Sequence, residues 1–114
     1  MREIRLSWLS DENWDEAISQ GFLPILAIKY PPRFFKTQIH FPELIHNEYQ
    51  TTDLEEAKDL YWNDLQDLNK KRIIRKLSVL SHIANASSGI MIFTELQEDP
   101  YREVLGQFLG NELY

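Results

Sequence analysis

The hydrophobic pattern changes period several times along the chain, and each change marks an element. Ile4, Leu6 and Trp8 alternate with Arg5 and Ser7 between Glu3 and Leu9, the period of a half-buried strand. Ser10 then offers an N-cap, with Asp11 and Glu12 in the favoured first turn. Trp14, Ala17 and Ile18 form the inner face of a short helix that Gly21 ends. From Phe22 to Tyr30 the run FLPILAIKY is apolar and bounded by Gly21 and by Pro31-Pro32. It predicts a second, central strand over Ile25 to Lys29, with Pro24 confined to its start because proline cannot donate to a ladder. Pro31 to Gln50 has no period. Thr52-Asp53-Leu54-Glu55 matches a capping box. It opens a helix to about Leu68 whose apolar face is Leu54, Ala57, Leu60, Tyr61, Leu65 and Leu68. Asn69 breaks the pattern, and a further helix follows from Lys71 to Asn85 with Ile73, Ile74, Leu77, Leu80 and Ala84 inward.

The last third is the most sharply written. Ile90 to Phe93 is a continuous apolar run after a Ser-Ser-Gly turn signal, as in a strand covered on both faces. Asp99-Pro100 supplies an N-cap and a first-turn proline. Tyr101, Val104, Leu105, Phe108 and Leu109 fall on one helical stripe, and Gly110 stands where a C′ glycine would stop the helix. The order is β-α-β-loop-α-α-β-α. Alternating strands and helices predict one α/β domain over residues 1–114, a mostly parallel sheet flanked by helices. The polar loop Thr94 to Glu98 then lies at the carboxyl end of a buried strand, where open α/β sheets place their sites.

Composition narrows this picture only at its edges. The 114 residues suffice for one core. The 12% aromatic content, with three Trp, excludes a disordered chain. A net charge of −6 predicts a soluble protein and argues against a broad nucleic-acid surface. With no cysteine there is no disulfide and no thiolate chemistry, which suits the cytoplasm. MREIRLSWLSDENW has no apolar core of a signal peptide, and no run approaches the about 20 residues of a membrane span. No membrane partner is expected.

Three places could carry chemistry. The first is the Thr94 loop with Glu95, Asp99 and Arg102, where a helix N-terminus and an arginine suit an anion. The competing account is structural: Asp99 is needed as a cap, and Arg102 pairs with Glu98 or Asp99. The second is the pair of phenylalanines Phe34 and Phe35 between Arg33 and Lys36, on the same rim if the sheet is parallel. Phenylalanines in a long loop more often pack that loop onto the body of the domain. The third is KKRIIRK, Lys70 to Lys76, with five of the twelve basic residues. Its simplest explanation is two antiparallel helices of opposite charge facing each other, since the preceding helix carries Asp53, Glu55, Glu56, Asp59, Asp64 and Asp67. Its alternative is a docking face for nucleic acid or an acidic protein. His40, His46 and His82 have no metal-ligand spacing, and no phosphate-loop or dinucleotide motif occurs, so no metal and no cofactor is expected. The three tryptophans are expected in the core or an interface.

ILAIKYPPRFF, FPELIHNEY, EAKDLYWNDLQDL and IIRKLSVLSHIANASSGIMIFTELQEDPYREVLGQFL together resemble the YeaO-like family, also called the domain of unknown function 488 family, over roughly Ile25 to Leu113. The resemblance implies an α/β sheet with a site at the strand ends. Many members read Leu-Leu-Cys-x-Glu after the strand and Cys-His-Arg at the last helix. Here Thr94 replaces the cysteine, Glu95 stands one place early for the glutamate, and Pro100-Tyr101-Arg102 replaces the triplet with only the arginine retained. The thiol and the imidazole best suited to nucleophilic or general-base work are gone.

The expectation is therefore a binding or regulatory module. Arg33, Phe34, Lys36, Thr94, Glu95 and Arg102 would hold an anionic ligand, phosphate-bearing or nucleotide-like, at the strand ends. Two alternatives accompany it: an enzyme acting on nucleotides or nucleic acid with Glu95 as acid–base, and a protein-interaction module using Lys70 to Lys76.

Overall fold

The computed structural model describes residues 3–29, 39–95 and 97–110. Its elements are β1 (Ile4–Trp8), α1 (Asp11–Ser19), β2 (Phe22–Leu26), a 3₁₀ turn (Pro42–Leu44), α2 (Leu54–Gln66), α3 (Lys70–Ile83), β3 (Gly89–Thr94) and α4 (Pro100–Gly110). The three strands form one parallel sheet in the order β1-β3-β2. The α/β class and the parallel sheet are as the periodicity predicts.

The last strand in sequence is thus the central one. Ile4 pairs with Ile90 and Ile25 with Ile92, so even positions of β3 share a face with odd positions of β2. On that face Ile25, Ile90 and Ile92 are sealed under α4 by Val104, Leu105 and Phe108, with Tyr61 and Leu65 of α2 and Leu77 of α3 completing the cluster. Among the described residues the opposite face is covered by α1, where Trp14 and Ala17 meet Phe22, Leu26, Ile28 and Phe93. Helices on both faces explain why β3 reads as an unbroken apolar run.

The second strand departs from the prediction. It runs Phe22–Leu26, it is an edge strand, and Pro24 lies in its middle. The hydrogen-bond alternation shows why this is allowed. Ala27 N–H donates to the Phe93 carbonyl of β3, whereas Leu26 N–H points the other way, to Ile39. Even positions of β2 therefore face away from β3. Pro24 lacks an N–H on the side where the ladder needs none.

Helix ends follow local chemistry. Ser10 Oγ accepts from Asn13 N–H, and Asn69, read as a break, is the N-cap of α3 through Arg72 N–H. The cap of α2 is Asp53, one residue later than the capping-box match, with Thr51 Oγ1 bonded to Asp53 N–H behind it. Asn85 follows α3 at φ 55°, the left-handed position that asparagine tolerates. Gly110 is inside α4 rather than beyond it. Ile18, at 54% exposure, and Leu54, at 49%, are outside the faces assigned to them, as are Leu60 and Ala84.

The pairing of α2 with α3 by charge is overturned. α2 packs along α4, and α3 lies on β3. Trp62 meets Phe108 edge-on at 6.5 Å, and Lys58 reaches both Glu55 and Glu103. Burying an aromatic face outweighs exposed ion pairs worth about 0–1 kcal/mol each. Lys71, Arg72, Arg75 and Lys76 remain on the exposed side of α3, with Lys76 against Glu43 and over the Phe41 ring.

Candidate functional site

Thr94 ends β3 and is 6% exposed. A buried hydroxyl needs partners, and it has two. Thr94 Oγ1 donates to the Ser7 carbonyl of β1 at 3.3 Å and accepts from Arg102 Nη1 at 3.1 Å. Arg102 sits in the first turn of α4 because Asp99-Pro100 starts that helix there, and Asp99 Oδ1 accepts from Tyr101 N–H at 2.9 Å. Its second amino group donates to the Gln97 carbonyl at 2.6 Å, and the guanidinium lies 5.8 Å from the Trp8 ring. The side chain is braced by β1, β3 and the intervening loop together.

This brace fills a particular place. After β1 the chain crosses to the α1 face, and after β3 it crosses to the α4 face. The ends of these adjacent strands form the switch point where α/β sheets open a crevice. Here Leu9 N–H donates to the Thr94 carbonyl, and Thr94 with Arg102 closes the gap. The open space lies one strand over, between the ends of β2 and β3.

That space is a cleft of about 200 Å³, with Ala27 and Leu105 at its floor and Lys29, His46, Glu48, Glu95, Tyr101 and Arg102 on its walls. Glu95 Oε1 accepts from the backbone N–H of Lys29 at 2.9 Å and ties the ends of β2 and β3 together. Lys29 Nζ lies 2.8 Å from Glu48 Oε1. Hydrogen bonding from Lys29, then its charge, holds the Glu48 carboxyl below its usual value. The wall carries both signs of charge, Lys29 and Arg102 against Glu48, Glu95 and Asp99.

One side of the cleft is aromatic. The His46 ring stacks on Tyr101 at 3.9 Å and 17°, and Tyr61 meets Tyr101 edge-on at 5.6 Å. Tyr61 Oη donates to the Leu44 carbonyl at 2.5 Å, which anchors the 3₁₀ turn to α2. Burial, then the charge of Asp99, pushes the Tyr61 phenol far above its usual value. Tyr49 donates to Asp64 Oδ2 at 2.6 Å, and its phenol is likewise raised, first by burial and then by that bond.

Of the residues expected in the site, Thr94, Glu95 and Arg102 come together on this cleft. Arg33, Phe34 and Lys36 lie outside the described residues. Lys29, His46 and Glu48 were not anticipated. The signal available for Lys29 was its place at the end of a strand; His46 and Glu48 sit in a segment without period. Tyr61 and Tyr101 read as core stripe and are also cleft wall. Among the described residues no group of three His, Asp or Glu side chains is arranged to hold a metal ion, and no helix is long and apolar enough to cross a membrane.

Trp8 serves as a platform for Arg102, Trp14 is buried and Trp62 is half-buried. No family model, no curated protein and no solved structure matches the chain.

Proposed function

We propose that the chain is a binding module that takes a small polar ligand bearing an anionic group into the cleft between the ends of β2 and β3. The observation that carries this is the braced Arg102 guanidinium on the cleft wall. A guanidinium fixed by Thr94 and by a backbone carbonyl costs little further ordering when it takes a carboxylate or phosphate oxygen. The carboxylates of Glu48 and Glu95 on the same wall suit a ligand that also carries hydrogen-bond donors or a positive charge. At about 200 Å³ the cleft is below the ≈ 300–1,000 Å³ of most small-molecule sites. It therefore suits a phosphate-bearing fragment or a small zwitterion better than a whole dinucleotide. The ring of Tyr101, stacked under His46, would form the apolar side of such a ligand's seat.

Glu95 as a catalytic acid–base gains less from the geometry. Its carboxylate is exposed and has a structural task on Lys29 N–H. The likeness to the YeaO-like family adds a strand-end location and no activity.

The test is a titration of isotope-labelled protein, followed by amide shifts, with inorganic phosphate, a nucleoside monophosphate, a small dicarboxylate and a neutral amino acid as probes. One class is expected to move the amides of Lys29, Glu95 and Arg102 saturably. Arg102→Ala should weaken that binding about ten- to a hundredfold, the value of a charge-assisted hydrogen bond. Absence of saturable shifts in the cleft for every probe at millimolar concentration would overturn the proposal.

A further inference from the structure

We infer that β1 pairs edge to edge with β1 of a second copy, antiparallel about a two-fold axis at Leu6, to make a continuous six-stranded sheet. The two edges of the sheet differ. On β2 the outward positions are blocked by Pro24 and bridged by the Ile39–Phe41 segment, where Leu26 N–H donates to Ile39 and Leu26 accepts from Phe41 N–H. On β1 the parity is fixed by Glu3, whose carbonyl accepts from Ile90 N–H, and by Leu9, whose N–H donates to Thr94. Odd positions therefore face β3. The backbone N–H and C=O groups of Ile4, Leu6 and Trp8 face outward, and among the described residues no strand pairs with them. Among the described residues the Trp8 carbonyl alone has a partner there, Asn13 Nδ2 at 2.9 Å.

Such an edge normally carries a proline, a bulge, a covering segment or inward-pointing charges that prevent pairing. Among the described residues β1 has no proline and no strap; Arg5 is its one charge, and it is engaged by Glu3 at 2.7 Å and lies 5.1 Å from the Phe22 ring.

The occupant follows from the side chains of β1 itself. With Leu6 opposite Leu6 of the second copy, Ile4 falls opposite the copy's Trp8 and Arg5 opposite its Ser7. One face of the seam is then wholly apolar, and no like charges stand directly opposite each other, the condition for a stable cross-strand pair. Leu6 and Trp8 are only partly buried although they lie on the face that α4 covers. Pairing would finish that burial and satisfy the Leu6 N–H and C=O of each copy through two bonds exchanged across the axis. An isologous contact of this kind closes on itself and stops at two copies.

The experiment is sedimentation of the full chain over a range of concentrations, with amide hydrogen exchange at both ends of the range. Twice the 13.6 kDa monomer mass is expected at high concentration. The outward amides of Leu6 and Trp8 should exchange about tenfold or more slowly in that species, while the inward amides of Arg5 and Ser7 change little. Leu6→Pro removes an outward N–H, as Pro24 does in β2, together with the Leu6 side chain at the centre of the seam, and should return the mass to the monomer value. A single monomer mass up to several hundred micromolar would overturn the inference. So would a dimer whose Leu6 amide exchanges as fast as in the monomer, a readout that stands even if Leu6→Pro fails to fold.

Discussion

The two ends of β3 are held by different physics. At its amino end Gly89 has φ +127°, and a Cβ there would sit 2.0 Å from the Glu3 carbonyl oxygen. The strand enters the sheet through a gap with no room for any side chain, and the fit is one of shape. At its carboxyl end Thr94 is fixed by hydrogen bonds to Ser7 and Arg102, and beyond it the sheet opens into a cleft of mixed charge. A steric fit has no tolerance and leaves no room for a ligand. A polar fit can be loosened by degrees. The amino end is therefore where a side chain has no room, and the carboxyl end is where the proposed ligand would sit.

Substituting Gly89 is the strongest way to break this comparison. Gly89→Ala must both leave the glycine-only backbone region and displace the Glu3 carbonyl, so a loss of about 3 kcal/mol or more is expected. In thermal melts that is a fall on the order of 10–20 °C. A fall under about 3 °C would show that the entry to β3 adapts, and that its two ends do not differ in kind.

Tyr61 joins the cleft to the body of the protein. Tyr61→Phe removes the bond to the Leu44 carbonyl and leaves a buried acceptor unpaired, for an expected loss of about 1–3 kcal/mol. It also carries a pH signature. The folded protein holds the Tyr61 and Tyr49 phenols above their ordinary value of 10.0. Between that value and the higher folded ones the native state keeps protons that the unfolded chain has lost. Stability is therefore fully present below pH 10 and falls as pH rises beyond it. Denaturant midpoints measured from pH 8 to pH 11.5 should decline at the alkaline end. The double variant Tyr49→Phe/Tyr61→Phe should decline less steeply from its lower starting value. Equal slopes would show that the phenols do not couple to folding.

How much of this was legible in the sequence depends on what each residue had to announce. β3 and α4 were plain, because a four-residue apolar run and an Asp-Pro start need no knowledge of neighbours. β2 was misplaced, because an apolar run without alternation gives no register, and whether Pro24 fits depends on which side of the strand the ladder lies. The partner of α2 was misjudged for a related reason. A helical stripe of Ala57, Tyr61 and Leu65 states that a face is buried but not against which helix, and the charges suggested a pairing that packing overrode. In the cleft, Thr94, Glu95 and Arg102 were found from their place after a strand. Lys29, His46 and Glu48 were not, since the fold, and no motif, brings their segments together.

Thr94→Val tests the polar end with the shape kept. It removes the hydroxyl that braces Arg102 while filling nearly the same volume. The expected cost is about 1–2 kcal/mol, several degrees of melting temperature, since the net value of two hydrogen bonds is lost and no cavity opens. Under the proposed function the same variant should weaken the best probe anion severalfold, because Arg102 loses one of its fixing bonds and the ligand has to supply more of its ordering. Unchanged affinity would show that the brace and the cleft are independent.

The smallest expected effect is at the rim, and it is the sharpest statement of the contrast. Glu48 is fully exposed, and its carboxyl is held below its ordinary value by Lys29. A lowered carboxyl contributes stability above its unfolded value of 4.5 and loses it as pH falls through the folded one. Solvent screening leaves little of that contribution in an exposed pair. Glu48→Gln should therefore leave the melting temperature unchanged within error at pH 7 and again at pH 3.5. It should still alter which probe binds, favouring a ligand with more negative charge now that one carboxylate is gone from the wall. A melting temperature that drops at pH 7 and recovers its parity with the parent chain at pH 3.5 would assign Glu48 and Lys29 to the framework. The carboxyl end would then be built for stability as the amino end is, and the division of labour along β3 would fail.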